Sequence, residues 1–180
     1  MKPIQPARMV AKAGVCAGAM WVLLTPAAQA ATQTGTFEVR VQITATCAVT
    51  AGAGSNIDFD SVPSTASGAS LEKSSTISVN CTKGTPYYIG LKPSAGSGLD
   101  SGLGEMTSGG SNPPIPYQLR QQPGAAGDIW GNTATTTSAG NGKSDTGDGT
   151  DQHHTVYATL DSANFAAGTY TDTVTVTVNY

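Results

Sequence analysis

The sequence predicts an all-β fold, a β-sandwich, on three observations. Short stretches rich in β-branched and aromatic residues recur between turn signals, no run of a dozen residues carries a 3.6-residue apolar period, and the chain is rich in Thr, Ser, Gly, Val and Ala but poor in charge. Strands are expected at residues 46–51, 57–59, 70–81, 86–92, 115–121, 155–160 and 169–180. The intervals carry turn chemistry, including Lys83-Gly84, Gly109-Gly110, Pro113-Pro114 and Ala167-Gly168. Many short strands at this spacing read as two packed sheets.

Ahead of these lies a secretory leader. Lys2, Arg8 and Lys12 give a positive start, residues 13–24 a short apolar run, and Ala28-Gln29-Ala30 a small-x-small site, so cleavage is expected between Ala30 and Ala31. The apolar run is shorter than the roughly 20 residues a spanning helix needs. No later segment approaches that length, so the mature chain is expected to be exported without a membrane span. Cleavage leaves 150 of the 180 residues, enough for one domain with a real core. It also leaves six Lys and Arg against twelve Asp and Glu, a net charge of −6. With no basic patch, nucleic acid is set aside as a partner.

Residues 34–44 read as a further strand that has no evident place in the domain behind it. Phe37, Val39, Val41 and Ile43 share one face, and Glu38, Arg40, Gln42 and Thr44 the other, the period of a strand with one buried side. Such a face must pair within its own domain or pass to a neighbour. The following Thr44-Ala45-Thr46 offers no Gly, Pro, Asn or Asp for a tight reversal, which favours the neighbour.

Cys16 leaves with the leader, and Cys47 and Cys81 remain as one pair in an oxidising compartment. A bridge between them closes a long loop and is worth about 3–4 kcal/mol in the chain-entropy model. Neither cysteine sits in a CxxC, so metal and redox chemistry are not expected.

Between the strands, residues 132–152 are almost all Thr, Ser, Gly, Asn and Asp and read as a mobile surface loop. Asp145, Asp148 and Asp151 have a spacing reminiscent of calcium ligands. The loop lacks the Glu that closes an EF-hand, so a solvated acidic segment is expected instead. His153 and His154 are adjacent on an extended chain and point to opposite sides, so they read as surface histidines and not as a metal clamp. There is no G-x-S-x-G elbow, and Asp58-Phe59-Asp60 reads as a strand entering a turn, so no enzyme and no cofactor are expected. Asn80-Cys81-Thr82 matches a glycosylation sequon, a frequent chance match.

The last strand alternates without a break. Tyr170, Asp172, Val174, Val176, Val178 and Tyr180 fall on one face, with Thr171, Thr173, Thr175, Thr177 and Asn179 on the other. With no strand following it, the sandwich is expected to keep an open edge and a gap in its core. The strand at residues 34–44 is its complement in kind.

Taken in order, Phe37-Glu38-Val39-Arg40-Val41, Cys47-Ala48-Val49, Ile57-Asp58-Phe59, Ile77-Ser78-Val79-Asn80-Cys81, Lys83-Gly84-Thr85-Pro86-Tyr87, Ile115-Pro116-Tyr117-Gln118-Leu119, Trp130-Gly131, Thr155-Val156-Tyr157 and Gly168-Thr169-Tyr170-Thr171-Asp172-Thr173-Val174 resemble the spore coat protein U domain family. Its members include the pilin subunits of archaic, Csu-type chaperone–usher pili of Gram-negative bacteria. The resemblance runs over nearly the whole mature chain, and its most distinctive part is the closing Gly-Thr-Tyr-x-Asp-x-Val-x-Val-x-Val-x-Tyr stretch. This chain departs from the family pattern where Asp60 stands for the usual Gly, Glu105 for a basic residue and Arg120 for an aromatic.

The resemblance implies an incomplete immunoglobulin-like β-sandwich completed by a donor strand. A periplasmic chaperone lends that strand before delivery to an outer-membrane usher, and the N-terminal extension of the next identical or related pilin subunit then replaces it. On this reading residues 1–30 are the signal peptide, 31–45 the donor extension and 46–180 the pilin domain. Phe37, Val39, Val41 and Ile43 are the donor face; Val174, Val176 and Val178, with Tyr170 and Tyr180 beyond them, belong to the acceptor groove. Four such side chains at roughly 1.5–3 kcal/mol each bury about 6–12 kcal/mol before ordering costs. A single domain suits a shaft subunit better than a two-domain tip adhesin, and attachment and biofilm formation are the roles the family implies. The alternative is a monomeric secreted β-sandwich, a binding or coat module, whose residues 34–44 fold back into their own domain.

Overall fold

The computed structural model describes residues 30–66 and 71–180. The expected signal peptide lies outside the described residues up to position 29, as does Ser70 at the start of the expected strand 70–81. Residues 41–180 form one compact unit. Its strands are β1 (Cys47–Thr50), β2 (Glu72–Cys81), β3 (Pro86–Pro93), β4 (Leu103–Met106), β5 (Ile115–Arg120), β6 (Lys143–Thr146), β7 (Gln152–Thr159) and β8 (Val174–Asn179). Helical structure among the described residues is confined to short 3-10 turns such as Ala53–Ser55 and Leu99–Ser101.

Two antiparallel sheets make the sandwich, one in the order β1-β2-β7-β5-β4 and one in the order β6-β3-β8. Alternation sets their inner faces. Ile77, Val79 and Cys81 of β2, Tyr117 and Leu119 of β5, and Val156 and Ala158 of β7 face Tyr87, Ile89 and Leu91 of β3 in one buried cluster. Trp130, fully buried, follows the β5 hairpin loop into this core, and its indole N–H donates to the Ile89 carbonyl at 2.9 Å. The Lys143 ammonium lies 5.5 Å from the centre of its ring, a favourable position over the negative face of an indole.

Residues 132–152, expected as a mobile loop, are ordered by polar bonds and contain β6. Lys143–Thr146 pairs with β3 from Ile89 back to Pro86, and Gln152 already belongs to β7. Asn141 holds the intervening turn: its Oδ1 accepts from the Thr133 amide at 3.0 Å and the Thr133 hydroxyl at 2.8 Å, while its Nδ2 donates to the Asp100 carbonyl at 2.7 Å. Asn132 sits so closely over Gly90 that a Cβ there would collide with it, which is why β3 carries a glycine at that point. The strand expected at 57–59 is the opposite case. Ile57 and Phe59 do pack on the core, but no residue there joins a ladder. At the C-terminal strand the ladder begins only at Val174, so residues 169–173 of the expected strand lie outside it.

Asp60 ends that segment with φ at 58°, in the left-handed region where glycine is at ease. Asp58 Oδ1 accepts its amide at 2.8 Å, and its own carboxylate meets Lys73 Nζ at 2.8 Å on the surface. Asp60→Gly relieves roughly 1 kcal/mol of backbone strain and forfeits only an exposed ion pair, which salt screens. A higher melting temperature is expected for Asp60→Gly, with a larger gain in high salt than in low salt. A loss in both conditions would show that the ion pair outweighs the strain.

Candidate functional site

Sheet edges decide where another strand can add. Each sheet has two, and the fold treats them differently. The β6 edge of the small sheet carries Lys143 and Asp145. The β4 edge of the large sheet is closed by the Gly98–Leu103 and Thr107–Thr171 bridges and by the Glu105 amide, which donates to the Ala95 carbonyl at 2.9 Å. The remaining edges belong to β1 and β8, which lie beside each other. Neither contains a charged residue, and among the described residues no strand pairs with their outer sides.

The core is uncovered along this line. Val49 stands on the inward face of β1 opposite fully buried Val79, yet is 41% exposed. Val174, Val176 and Val178 of β8 pack against the core and are only half-buried, and Tyr180 is 51% exposed. Tyr170 lies outside the ladder and donates its hydroxyl to the Ala166 carbonyl at 3.0 Å. The result is an apolar strip between two strand edges whose outer sides have no strand partner among the described residues, a geometry suited to accept an extended apolar chain.

Cys47 and Cys81 are joined, 34 residues apart in sequence but directly opposite each other across the β1–β2 ladder. The bridge holds the four-residue edge strand β1 to the long strand β2. Thr46 reinforces it: its carbonyl accepts the Thr82 amide at 2.9 Å, and its amide donates to Thr82 Oγ1 at 3.0 Å.

Residues 30–46, which include Ala30 and Ala31, belong to no strand, so the strand expected at 34–44 is not formed. A strand exists through its ladder, and residues 34–44 join none among the described residues. Phe37, Val39, Val41 and Ile43 are 79% to 88% exposed, an unusual state for four apolar side chains at alternate positions.

Two polar clusters escaped sequence reasoning. At the start of the last strand the Asp172 carboxylate accepts the hydroxyls of Tyr117, at 2.7 Å, and Ser94, and the Thr173 amide at 2.7 Å. Burial first, and then the bond to Asp172, push the Tyr117 phenol far above its ordinary pKa, so it stays a donor. The available signal was an acid at an inward position in the alternation.

The second cluster corrects the expectation of two surface histidines. His153 is exposed and meets Ser78 Oγ at 2.7 Å, but His154, on the inward face of β7, is only 3% exposed. His154 Nε2 lies 2.8 Å from the Tyr87 hydroxyl, which donates to Gln152 Oε1 at 3.2 Å; Gln152 Nε2 in turn donates to the Thr146 carbonyl at 3.1 Å. A single direction of donation, from imidazole to phenol to amide to carbonyl, satisfies the chain. Burial, foremost, pushes the Tyr87 phenol up to about 12, and burial also lowers the His154 pKa, against the opposing pull of Asp145 at 3.9 Å. The unfolded chain therefore takes up this proton first as pH falls. Stability contributed by neutral His154 is present above the ordinary histidine pKa and is lost below it. Urea midpoints are expected to fall from about pH 7 to about pH 5 in the natural chain and to fall less in His154→Gln. Parallel pH dependence in the two chains would remove His154 as the cause.

The acids of residues 145–151 are used separately. Asp148 Oδ1 accepts the Thr150 amide and hydroxyl, both at 2.8 Å, and Asp151 accepts Asn80 Nδ2 at 2.9 Å. Among the described residues no three His, Cys, Asp or Glu side chains gather at metal-binding distance, and no helix is long and apolar enough to cross a membrane.

A family model described as the spore coat protein U domain matches residues 33–177. No curated protein matches the chain. Among solved structures, it is similar to a chain of the chaperone–tip adhesion subunit pre-assembly complex from archaic chaperone-usher Csu pili of Acinetobacter baumannii, with a TM-score of 0.52 and 23% identity. The match covers 77% of this chain and 40% of that one. At this identity the likeness is one of fold, an all-β sandwich.

Proposed function

The chain belongs to the spore coat protein U domain family, and from that membership we propose that it is a structural subunit of a chaperone–usher pilus, exported through the periplasm and polymerised at the cell surface by donor-strand exchange. The proposal divides the chain into a signal peptide at 1–30, a donor extension at 31–45 and a groove-bearing domain at 46–180. One observation carries it: two open, uncharged strand edges frame an uncovered apolar strip, in a chain that also exposes an unpaired apolar face of matching kind. The lengths agree as well. Phe37 to Ile43 and Val174 to Tyr180 are each six residue steps, about 20 Å in strand geometry.

Strand addition satisfies both halves at once. Backbone groups of β8 find partners, Phe37, Val39, Val41 and Ile43 leave water, and Val49 and the β8 valines are covered. A subunit with its groove empty would aggregate through the same edges, which is the physical reason for a periplasmic chaperone to occupy the groove until the outer-membrane usher receives the subunit. The similar solved chain comes from a chaperone–subunit complex, which supports that partner. Attachment and biofilm formation are the roles proposed for the finished fibre.

The test uses two full-length chains, each disabled in one half. One carries Val41→Asp with Ile43→Asp and keeps only a groove; the other carries Val176→Arg and keeps only a donor. Each alone is expected to run as a single subunit by gel filtration with light scattering, and the mixture as a one-to-one heterodimer. Folded chains that never pair on mixing would sink the proposal. If the unaltered chain were itself monomeric, the self-contained secreted module would take its place.

A further inference from the structure

The groove has one polar position. Alternation puts Asp172 on the same face as Val174, Val176 and Val178, and the structure turns its side chain inward, onto the hydroxyl of Tyr117 on the inner face of β5. Ser94, just after β3, donates to its other oxygen, and Thr171 exchanges two backbone hydrogen bonds of 2.9 Å with Thr107. The chain is thus pinned to both sheets at the point where the apolar strip stops. Three donors commit the carboxylate, and no cation is among them.

We propose that Asp172 sets the register in which a second copy of this chain inserts its N-terminal strand. The inference rests on the donor-strand reading above. Phe37, Val39, Val41 and Ile43 fill the four inward positions from Val174 to Tyr180. The residue brought beside Asp172 is then one of the two small residues that bound the apolar face: Ala45 if the strand runs antiparallel to β8, Gly35 if it runs parallel.

Register needs such a device. A slip of one residue turns Glu38 and Arg40 inward and is excluded by the strand period itself. A slip of two keeps the apolar face inward, and along a uniform strip of valines it forfeits only one of four contacts. Asp172 adds the missing penalty, because a slip toward it presses Ile43 or Phe37 onto a half-buried carboxylate and takes away the water it still meets. Specificity comes from a repulsive element beside the attractive ones.

The experiment measures peptide binding to the full-length chain whose own donor face is disabled by Val41→Asp with Ile43→Asp. The probes are fluorescent peptides of residues 31–47: unaltered, Gly35→Ile, or Ala45→Ile. One of the two altered peptides is expected to bind about tenfold more weakly than the unaltered one or worse, and which one reports the strand direction. Asp172→Val, combined with Tyr117→Phe so that no buried hydroxyl is stranded, is expected to bring that peptide back to within about threefold of the unaltered one. Comparing two peptides on the same protein cancels any general change in stability.

Equal binding of all three peptides to the groove with Asp172 intact, or failure of the double change to restore the weak one, overturns the register proposal alone. No binding of the unaltered peptide overturns the donor-strand reading beneath it. If the groove-only chain does not accumulate, the same substitutions in the otherwise unaltered chain are scored by polymer length, with shortening by Gly35→Ile or Ala45→Ile and recovery in the Asp172→Val, Tyr117→Phe background as the expected result.

Discussion

Val41→Asp combined with Ile43→Asp in the full-length chain is expected to weaken assembly by a factor of at least about a thousand while leaving the subunit folded. Each replacement removes roughly 1.5–3 kcal/mol of apolar burial and adds the cost of placing a carboxylate against the β8 valines, roughly 2 kcal/mol or more. Together these exceed about 4 kcal/mol, or a thousandfold in an equilibrium constant. The fold is spared because Val41 and Ile43 are 82% and 79% exposed in the subunit itself. Sedimentation velocity on exported chains reads both properties together. Glu38→Ala and Gln42→Ala, on the opposite face, are expected to leave the size distribution unchanged. Polymers undiminished by the two aspartates would mean that assembly does not use this face.

Trp130→Ala is expected to cost about 3–5 kcal/mol of stability, the largest loss from any single core truncation in the domain. Trp130 is fully buried, its amide donates to the Leu119 carbonyl at 2.9 Å and its indole N–H to the Ile89 carbonyl at 2.9 Å. Leu119 belongs to the large sheet and Ile89 to the small one, so a single residue ties both layers. Trp130→Phe keeps most of the packing but takes the donor from Ile89, and is expected to cost about 1–3 kcal/mol. Urea denaturation of the three chains gives the order. A loss below about 1 kcal/mol for Trp130→Ala would contradict a core organised around the indole. Because β3 lies between β6 and β8, the same truncation is expected to loosen the groove wall.

Elements with one buried face were legible in the sequence, because burial imposes a period of two that composition cannot hide. β2, β3, β5 and the Val174–Asn179 strand are of this kind; the expected bounds of the first three lie within two residues of those observed, while the last begins five residues later than expected. What escaped notice was structure held by polar bonds. β6 consists of Lys143, Ser144, Asp145 and Thr146, three of them exposed, and owes its place to the β3 ladder and to the turn that Asn141 organises. A rule that searches for apolar alternation passes over such a strand. β4, four residues with a glycine among them, was missed for a similar reason.

The reverse error at 57–59 is equally physical. Ile57 and Phe59 alternate and face the core, but alternation specifies a face and does not supply a partner edge. The sequence pattern starts this strand at Thr155 and so leaves His154 outside it; with β7 starting at Gln152, His154, Val156 and Ala158 share one inward face. At the candidate site, alternation singles out Phe37, Val39, Val41 and Ile43 and the β8 valines as apolar faces, but not Val49 of β1. The role of Asp172 could not be read from it, because its meaning depends on Tyr117 and Ser94, 55 and 78 residues away in sequence.

In a fibre of the proposed kind, tension would enter each subunit through the segment that leads out of the preceding groove. It would reach the folded domain at Thr46, and one residue later the Cys47–Cys81 bridge carries the load covalently onto β2. Edge strand β1, with only four paired residues, would otherwise be the first element to unzip under pull. The bridge removes it from the load path and delivers force to a ten-residue strand laddered along most of its length to β7. The donor segment and the groove wall of one subunit are thereby joined mechanically, so that stretching the fibre would strain the body of the sandwich before it peels the edge that holds the next subunit.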